Sequence, residues 1–174
     1  MTRKAIEELV YKYGDEVYRF CCYLTTNKDL ADDLYQETFL TAIKSEYKIR
    51  NDKNVKNYLI GISINLWKNQ VKKNKRRCEI APVTTYDERL EKNSVGKRDV
   101  LDDYISKELI EEVRNAVNTL PEKQKAVALM YYSAEMSVKE IAKALCVPKG
   151  TVLSRLAKAR ENIKKEMEER GYEC

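Results

Sequence analysis

The chain has 174 residues, of which 35% are charged and 43% are apolar, and its formal net charge is +5 at pH 7. The apolar share is large enough to build a core, which excludes disorder along the whole chain. Five glycines and three prolines are few for a β-protein with many turns, and the abundance of Lys, Glu, Leu and Ala favours helices. We therefore predict an all-α protein made of two small helical domains joined by a linker.

The charges are distributed unevenly between neighbouring segments. Residues 1–46 contain nine acids and six bases, whereas residues 47–77 contain ten bases against Asp52 alone. This asymmetry is typical of a protein with two surfaces for two different partners, one of them polyanionic.

The composition argues against several classes of function. The chain has no histidine, and its five cysteines lack the CxxC spacing of metal sites, so we expect neither a metal nor another cofactor. Paired carboxylates such as Asp32 and Asp33 can serve acid–base catalysis, but without histidine or metal-ligand spacing we do not expect an enzyme. No leader-like apolar segment and no apolar run of about 20 residues occurs, which favours a cytoplasmic protein.

Helical periodicity runs through most of the chain. It predicts helices over residues 4–24 and 28–44, then a polar loop over residues 45–53. A third helix begins near residue 54 and becomes strongly basic after Trp67. Residues 1–78 form the first predicted domain, residues 79–103 lose periodicity and form a linker, and residues 104–174 form the second domain. The apolar stripes expected to face the core include Leu9, Val10, Val17, Phe20, Leu24, Leu30, Leu34, Phe39, Leu109, Val113, Ala116 and Leu120.

Residues 137–166 have the pattern of a helix-turn-helix. Ser137 followed by Glu140 has the form of a capping box, which starts a short helix whose apolar face includes Ile141. The segment 146–148 stops that helix, and a longer helix runs on to about residue 168. Hydroxyls and bases on its outer side suit contacts with phosphates and base edges, although a solvated basic face of an ordinary helical hairpin is the alternative. The outer residues are Lys149, Thr151, Ser154, Arg155, Lys158 and Arg160.

The amino-acid sequence of this segment resembles region 4 of the extracytoplasmic-function (ECF) sigma factors, within the sigma-70 family. The similar stretches are LPE at 120–122, VKEIAKAL at 138–145 and GTVLSRLAKAR at 150–160. Two positions differ from the sequence motif of the family: Leu153 stands where a basic residue is usual, and Lys158 replaces an arginine. The resemblance implies a domain that reads the minus-thirty-five promoter element and meets the β flap of core RNA polymerase.

The stretch DLADDLYQETF at 29–39 resembles part of region 2 of the same family. Helical spacing places Asp33, Gln36, Glu37 and Leu40 on one exposed face, with Asp32 beside them. The resemblance implies that this face binds the clamp helices of the polymerase β′ subunit. A simpler reading, acids favoured by the dipole near a helix N-terminus, explains Asp32 better than Gln36 and Leu40.

The stretch YLIGISINLWKNQVKK at 58–73 resembles the region 2 helix that, with the preceding loop, opens the minus-ten element and holds an extruded base. Cations of this helix suit phosphate contacts, and its Asn65 suits a base edge. A solvated charge run is the alternative for residues 72–77, and Trp67 fits packing better than base stacking. The implied minus-ten residues are Ile49, Arg50, Asn65, Lys68, Asn69, Lys72, Lys73, Arg76 and Arg77.

The resemblance extends over residues 10–77 and 104–168. It implies an alternative sigma factor that directs core RNA polymerase to specific promoters and initiates transcription under the control of an anti-sigma factor. Two other readings stay open at this point. A conventional helix-turn-helix regulator would bind duplex DNA unaided, and a helical adaptor or RNA-binding protein would use the basic segment only to neutralise phosphate.

Overall fold

A computed structural model describes residues 3–25, 27–45, 54–80 and 102–172 of the chain. Within these ranges the regular secondary structure is helical throughout, which confirms the all-α prediction. The helices are α1 (Arg3–Leu24), α2 (Lys28–Lys44), α3 (Val55–Ile80), α4 (Asp102–Thr119), α5 (Glu122–Tyr132), α6 (Val138–Leu145) and α7 (Lys149–Glu169).

The N-terminal half is a bundle in which α1, α2 and α3 all pack against one another. Fully buried side chains such as Phe20, Leu34 and Ile64 form its centre. The start of α2 is fixed by Asn27, whose side-chain oxygen accepts a hydrogen bond from the Asp29 backbone N–H at 2.7 Å. Such an N-cap satisfies one of the free donors at a helix start, so the break between α1 and α2 is encoded locally.

The C-terminal half contains the predicted helix-turn-helix, formed by α6 and α7. Ser137 and Glu140 make the predicted capping box: Glu140 Oε2 accepts from the Ser137 backbone N–H at 2.9 Å, and Ser137 Oγ accepts from the Glu140 N–H. Cys146 ends α6 in the left-handed conformation with φ 52°, and α7 starts directly after Pro148. Val152 and other apolar residues of α7 then pack against α4, α5 and α6.

Four residues expected in the core are exposed instead. Leu30 lies in the first turn of α2 with 40% of its surface exposed, and Val10, Leu109 and Val113 are also exposed. The apolar stripes of these helices are wider than the surfaces that neighbouring helices cover. Two helix ends also differ from the predicted domain limits, because α3 continues to Ile80 and α4 begins at Asp102.

The two halves pack directly against each other, which the sequence did not predict. Helix α1 contacts α5, and α3 contacts both α5 and α6. One continuous cluster of buried apolar residues includes members of both halves. At the junction the ammonium of Lys125, only 5% exposed, donates to the backbone oxygen of Leu24 and to Asn118 Oδ1, each at 2.9 Å. Its Nζ also lies 5.8 Å from the centre of the Trp67 ring. A second link joins Asn57 Nδ2 to Glu140 Oε1 at 2.6 Å.

Candidate functional site

The acidic face of α2 is defined by Asp33, Gln36, Glu37 and Leu40, all of them exposed in the structure. Successive residues of an α-helix are rotated by about 100°, so these four lie within roughly one third of the circumference. Leu40 is 57% exposed and places an apolar side chain next to the carboxylates. A charged rim around an exposed leucine suits docking onto a basic protein surface.

Asp32, which the resemblance groups with these residues, lies beside their face on α2. Its side chain is half-buried, and its Oδ1 accepts a hydrogen bond from the Tyr18 hydroxyl at 2.8 Å. This hydrogen bond is the main cause that raises the pKa of Tyr18 to about 12, so the phenol keeps its proton. Asp32 therefore ties α2 to α1 and is less available to a partner than the exposed carboxylates of Asp33 and Glu37.

A shallow depression lies between α1 and α2 next to the acidic face. Gly14, Tyr18, Asp32, Tyr35 and Gln36 contribute to its lining. The rings of Tyr18 and Tyr35 meet edge to face at 5.5 Å. A methyl group at Gly14 would come within 2.9 Å of the Tyr35 hydroxyl, so glycine permits this close approach. A glycine within an otherwise helical pattern was the available signal for this feature, which sequence reasoning missed.

The C-terminal part of α3 exposes the predicted minus-ten residues along its length. Asn65, Asn69, Lys72 and Arg76 are exposed and recur at intervals of three or four residues, which places them on one face. At 1.5 Å per residue this face extends about 16 Å from Asn65 to Arg76. Lys68 on the same side is half-buried. Lys73 and Arg77 are exposed on the adjoining side, whereas Ile49 and Arg50 lie outside the described residues.

Two other residues of α3 serve the junction between the halves. Trp67 is buried, and its ring packs near the Lys125 ammonium, in agreement with the prediction that it packs rather than stacks on a base. Lys75, within the basic run, pairs with Glu122 of α5. Within the basic run at residues 72–77, Lys75 is therefore less available to a ligand than its exposed neighbours.

The predicted outer residues of α7 do not form a single face. Lys149, Ser154 and Lys158 are exposed, whereas Thr151 and Arg155 are half-buried. The Nε of Arg160 donates to the Tyr132 hydroxyl, and its guanidinium lies 5.7 Å from the centre of that ring. Arg160 is consequently held on the flank of α7 beside α5. Its partner Tyr132 is a residue that sequence reasoning did not single out.

Within the described ranges, no group of three or more His, Cys, Asp or Glu side chains could hold a metal ion, and no helix is long and apolar enough to cross a membrane. Burial raises the pKa of the Cys21 thiol to about 12, which makes it a packing residue rather than a reactive thiolate.

Comparison with known proteins identifies both halves. A family model for Sigma-70 region 2 matches residues 9–77, and a model for Sigma-70 region 4 matches residues 110–163. These two matches define a sigma-70 protein with its region 2 and region 4 in the usual order. The ECF RNA polymerase sigma factor SigW of Bacillus subtilis (strain 168) is 27% identical over 166 residues, which cover 94% of this chain and 89% of SigW. SigM from the same organism is 28% identical over 159 residues, which cover 91% of this chain and 93% of SigM.

The fold agrees with these sequence relatives. The sigma factor RpoE of Bartonella quintana, solved in complex with the anti-sigma factor NepR, matches with a TM-score of 0.75 at 20% identity over 95% of this chain and 98% of that chain. The chain belongs to the ECF sigma factors of the sigma-70 family, the alternative sigma factors of bacterial RNA polymerase.

Proposed function

We propose that the acidic face of α2 is the main docking surface for core RNA polymerase, on the clamp helices of the β′ subunit. The observation that carries this proposal is the joint exposure of Asp33, Gln36, Glu37 and Leu40, which packing within the bundle does not require. Opposite charges across such an interface accelerate and orient binding, and Leu40 supplies apolar area to bury. Asp32 contributes by holding α2 against α1 through Tyr18.

The exposed face of α3 is proposed to bind the opened minus-ten element. Lys72, Lys73, Arg76 and Arg77 would contact phosphates, while Asn65 and Asn69 can hydrogen-bond to base edges. Lys68 lies on the same side of α3 and would reach a phosphate through its long stem. The resemblance to region 2 extends this proposal to Ile49 and Arg50, which lie outside the described residues.

The helix-turn-helix is proposed to read the minus-thirty-five element as duplex. Lys149 and Thr151 at the start of α7 suit phosphates, because the helix N-terminus carries partial positive charge. Ser154, Arg155 and Lys158 follow along the helix that enters the major groove. The Nε of Arg160 is held by Tyr132, and its terminal N–H groups would contact a phosphate. The same domain would contact the β flap.

Simultaneous binding of both elements requires the two halves to separate. Sites about 25 base pairs apart lie roughly 80 Å apart along a duplex, at about 3.4 Å per pair. In the structure α6 contacts α3 and α5 contacts α1, so the halves touch. The 21 residues between α3 and α4 would reach up to roughly 75 Å if fully extended, at about 3.3–3.6 Å per residue. We propose residues 1–78, 79–103 and 104–174 as the region 2 domain, linker and region 4 domain, with α3 and α4 each extending two residues into the proposed linker.

Regulation by an anti-sigma factor is part of the same proposal. The RpoE structure that shares this fold contains the anti-sigma factor NepR. The protein acts in the cytoplasm, where core polymerase and promoter DNA are found, and it has no catalytic activity of its own. Catalysis belongs to the polymerase, and this chain supplies recognition.

The test removes the negative charge of the acidic face and measures binding to purified core RNA polymerase. The double variant Asp33→Asn with Glu37→Gln keeps side-chain size, and we expect its affinity for core to fall at least about tenfold, the factor that about 1.4 kcal/mol represents. The matched control, Glu8→Gln with Glu168→Gln, removes two exposed carboxylates elsewhere and should bind as the unmodified chain does. Equal affinity of the two double variants would refute this docking surface.

A further inference from the structure

The outer side of α7 carries an exposed apolar strip, defined by Gly150, Leu153 and Ala157. The spacing of three and four residues places them on one side of the helix, and all three are exposed. Leu153 is the large member, with 55% of its surface exposed. The apolar residues that hold α7 in the domain, such as Val152 and Leu156, lie on a different side and are buried.

The strip is not explained by packing within the chain. Leu153 follows the buried Val152 by one residue, so the helical rotation turns it out of the core. A Cβ built at Gly150 meets no heavy atom within 4 Å, which leaves room for a partner to approach the backbone of α7. The helix positions next to the strip carry exposed polar or cationic side chains, namely Lys149, Ser154 and Lys158.

This combination has the chemistry of a contact to thymine. In the major groove every base edge offers hydrogen-bond donors or acceptors, and the 5-methyl group of thymine is the apolar feature. A basic side chain at position 153 would seek a guanine edge or a phosphate, whereas leucine can only exclude water from an apolar group. Lys149 and Lys158, exposed near the two ends of the strip, would contact phosphates and so position the helix in the groove.

We propose that Leu153, with Gly150 and Ala157, reads thymine 5-methyl groups in the minus-thirty-five element and is a specificity-determining residue of this sigma factor. The inference rests on the proposed function, in which α7 enters the major groove of that element. It assigns to Leu153 a preference for A·T pairs at the one or two base pairs nearest to it.

The experiment uses the full chain bound to core RNA polymerase. A duplex library randomised over the minus-thirty-five region, above a fixed minus-ten region, first yields the preferred element. Each thymine of that element is then replaced by uracil, which removes only the 5-methyl group. We expect one or two replacements to weaken holoenzyme binding about three- to fivefold, the factor for losing one buried methyl group.

The same replacements with variants assign the effect to Leu153. With Leu153→Ala the uracil substitution should change affinity less than it does in the parent, and Leu153→Met, which keeps an apolar side chain of similar size, should retain the parent's sensitivity to it. The control Lys165→Ala lies near the far end of α7 and should behave as the unmodified chain does. Because Leu153 is exposed, all variants are expected to keep the far-UV circular dichroism of the parent.

Separate outcomes overturn the inference and the proposed function. If the preferred element contains no thymine, or if uracil has the same effect on the parent and on Leu153→Ala, Leu153 is not the methyl reader although promoter recognition stands. If the holoenzyme selects no minus-thirty-five sequence at all, the proposed function fails and the inference fails with it.

Discussion

The buried ammonium of Lys125 makes the stability of the protein depend on pH in a defined direction. Burial lowers the pKa of Lys125 from 10.5 to about 8. Below pH 8 the ammonium is charged in both the folded and the unfolded chain, so it contributes no pH dependence. Between about pH 8 and 10.5 the unfolded chain holds a proton that the folded chain has released, so the free energy of unfolding rises with pH.

The size of the effect follows from the two pKa values. One pKa unit corresponds to about 1.4 kcal/mol, and the rise between about pH 7 and about pH 9.5 amounts to roughly 2 kcal/mol. Cys21 opposes it, because burial raises the pKa of its thiol to about 12 and the folded chain then keeps a proton that the unfolded chain loses. Comparison of the parent with Lys125→Met removes this second contribution, since both proteins contain Cys21.

The measurement is urea unfolding with reductant at both pH values, followed by far-UV circular dichroism and by fluorescence. Trp67 is the single tryptophan of the chain and lies next to Lys125, so its emission reports on the junction between the halves. The stability of the parent relative to Lys125→Met should rise by roughly 2 kcal/mol from about pH 7 to about pH 9.5. Lys123→Met, an exposed lysine on the same helix, should show no such change relative to the parent.

A pH-independent difference between parent and Lys125→Met would show that this ammonium is not desolvated in solution. The junction between the halves would then be open enough for water to reach it. A relative stability that falls with pH would contradict the sign of the argument itself.

Further predictions concern the capping box and the basic helix. Glu140→Ala should lower the free energy of unfolding by about 1–2 kcal/mol, because it removes the reciprocal cap with Ser137 and the acceptor of Asn57, whereas Glu140→Gln should lose less. Hydrogen bonds from Ser137 hold the pKa of Glu140 below its ordinary value. The stabilising contribution of the Glu140 carboxylate should therefore disappear as the pH falls through that lowered pKa, and acid titration of the parent and of Glu140→Ala would detect the loss. For holoenzyme binding to single-stranded minus-ten DNA, the slope of log affinity against log salt concentration should become about 1.4 less steep in the double variant Lys72→Ala with Lys73→Ala. An unchanged slope would show that these lysines do not contact phosphates.

The local elements could be predicted because their signals are local. The capping box joins Ser137 to a residue three positions away, and the αL residue Cys146 with Pro148 separates α6 from α7 in a stretch of a few residues. Helical periodicity likewise gave the limits of most helices to within a residue or two. The exposed carboxylates of α2 followed from the same periodicity.

The junction could not be predicted, because it depends on contacts between distant parts of the chain. The apolar pattern of α5 gives no indication that the Lys125 ammonium is buried. One of the acceptors of this ammonium is the backbone oxygen of Leu24, which lies 101 positions away in the sequence. The pairing of Arg160 with Tyr132 is a similar case, 28 positions apart. The width of an apolar stripe also does not reveal how much of the stripe a neighbouring helix covers. For this reason Leu30 was expected in the core, whereas it is exposed at the surface.

The central claim is that this chain gives core RNA polymerase its choice of promoter, and run-off transcription tests it most directly. Purified bacterial core polymerase is incubated with fragmented genomic DNA, with and without the full chain. The account predicts discrete transcripts that appear only when the chain is present and that are lost with the Asp33→Asn and Glu37→Gln variant. The same transcripts with and without the chain, or a specific footprint of the chain alone on duplex DNA that core polymerase leaves unchanged, would contradict it.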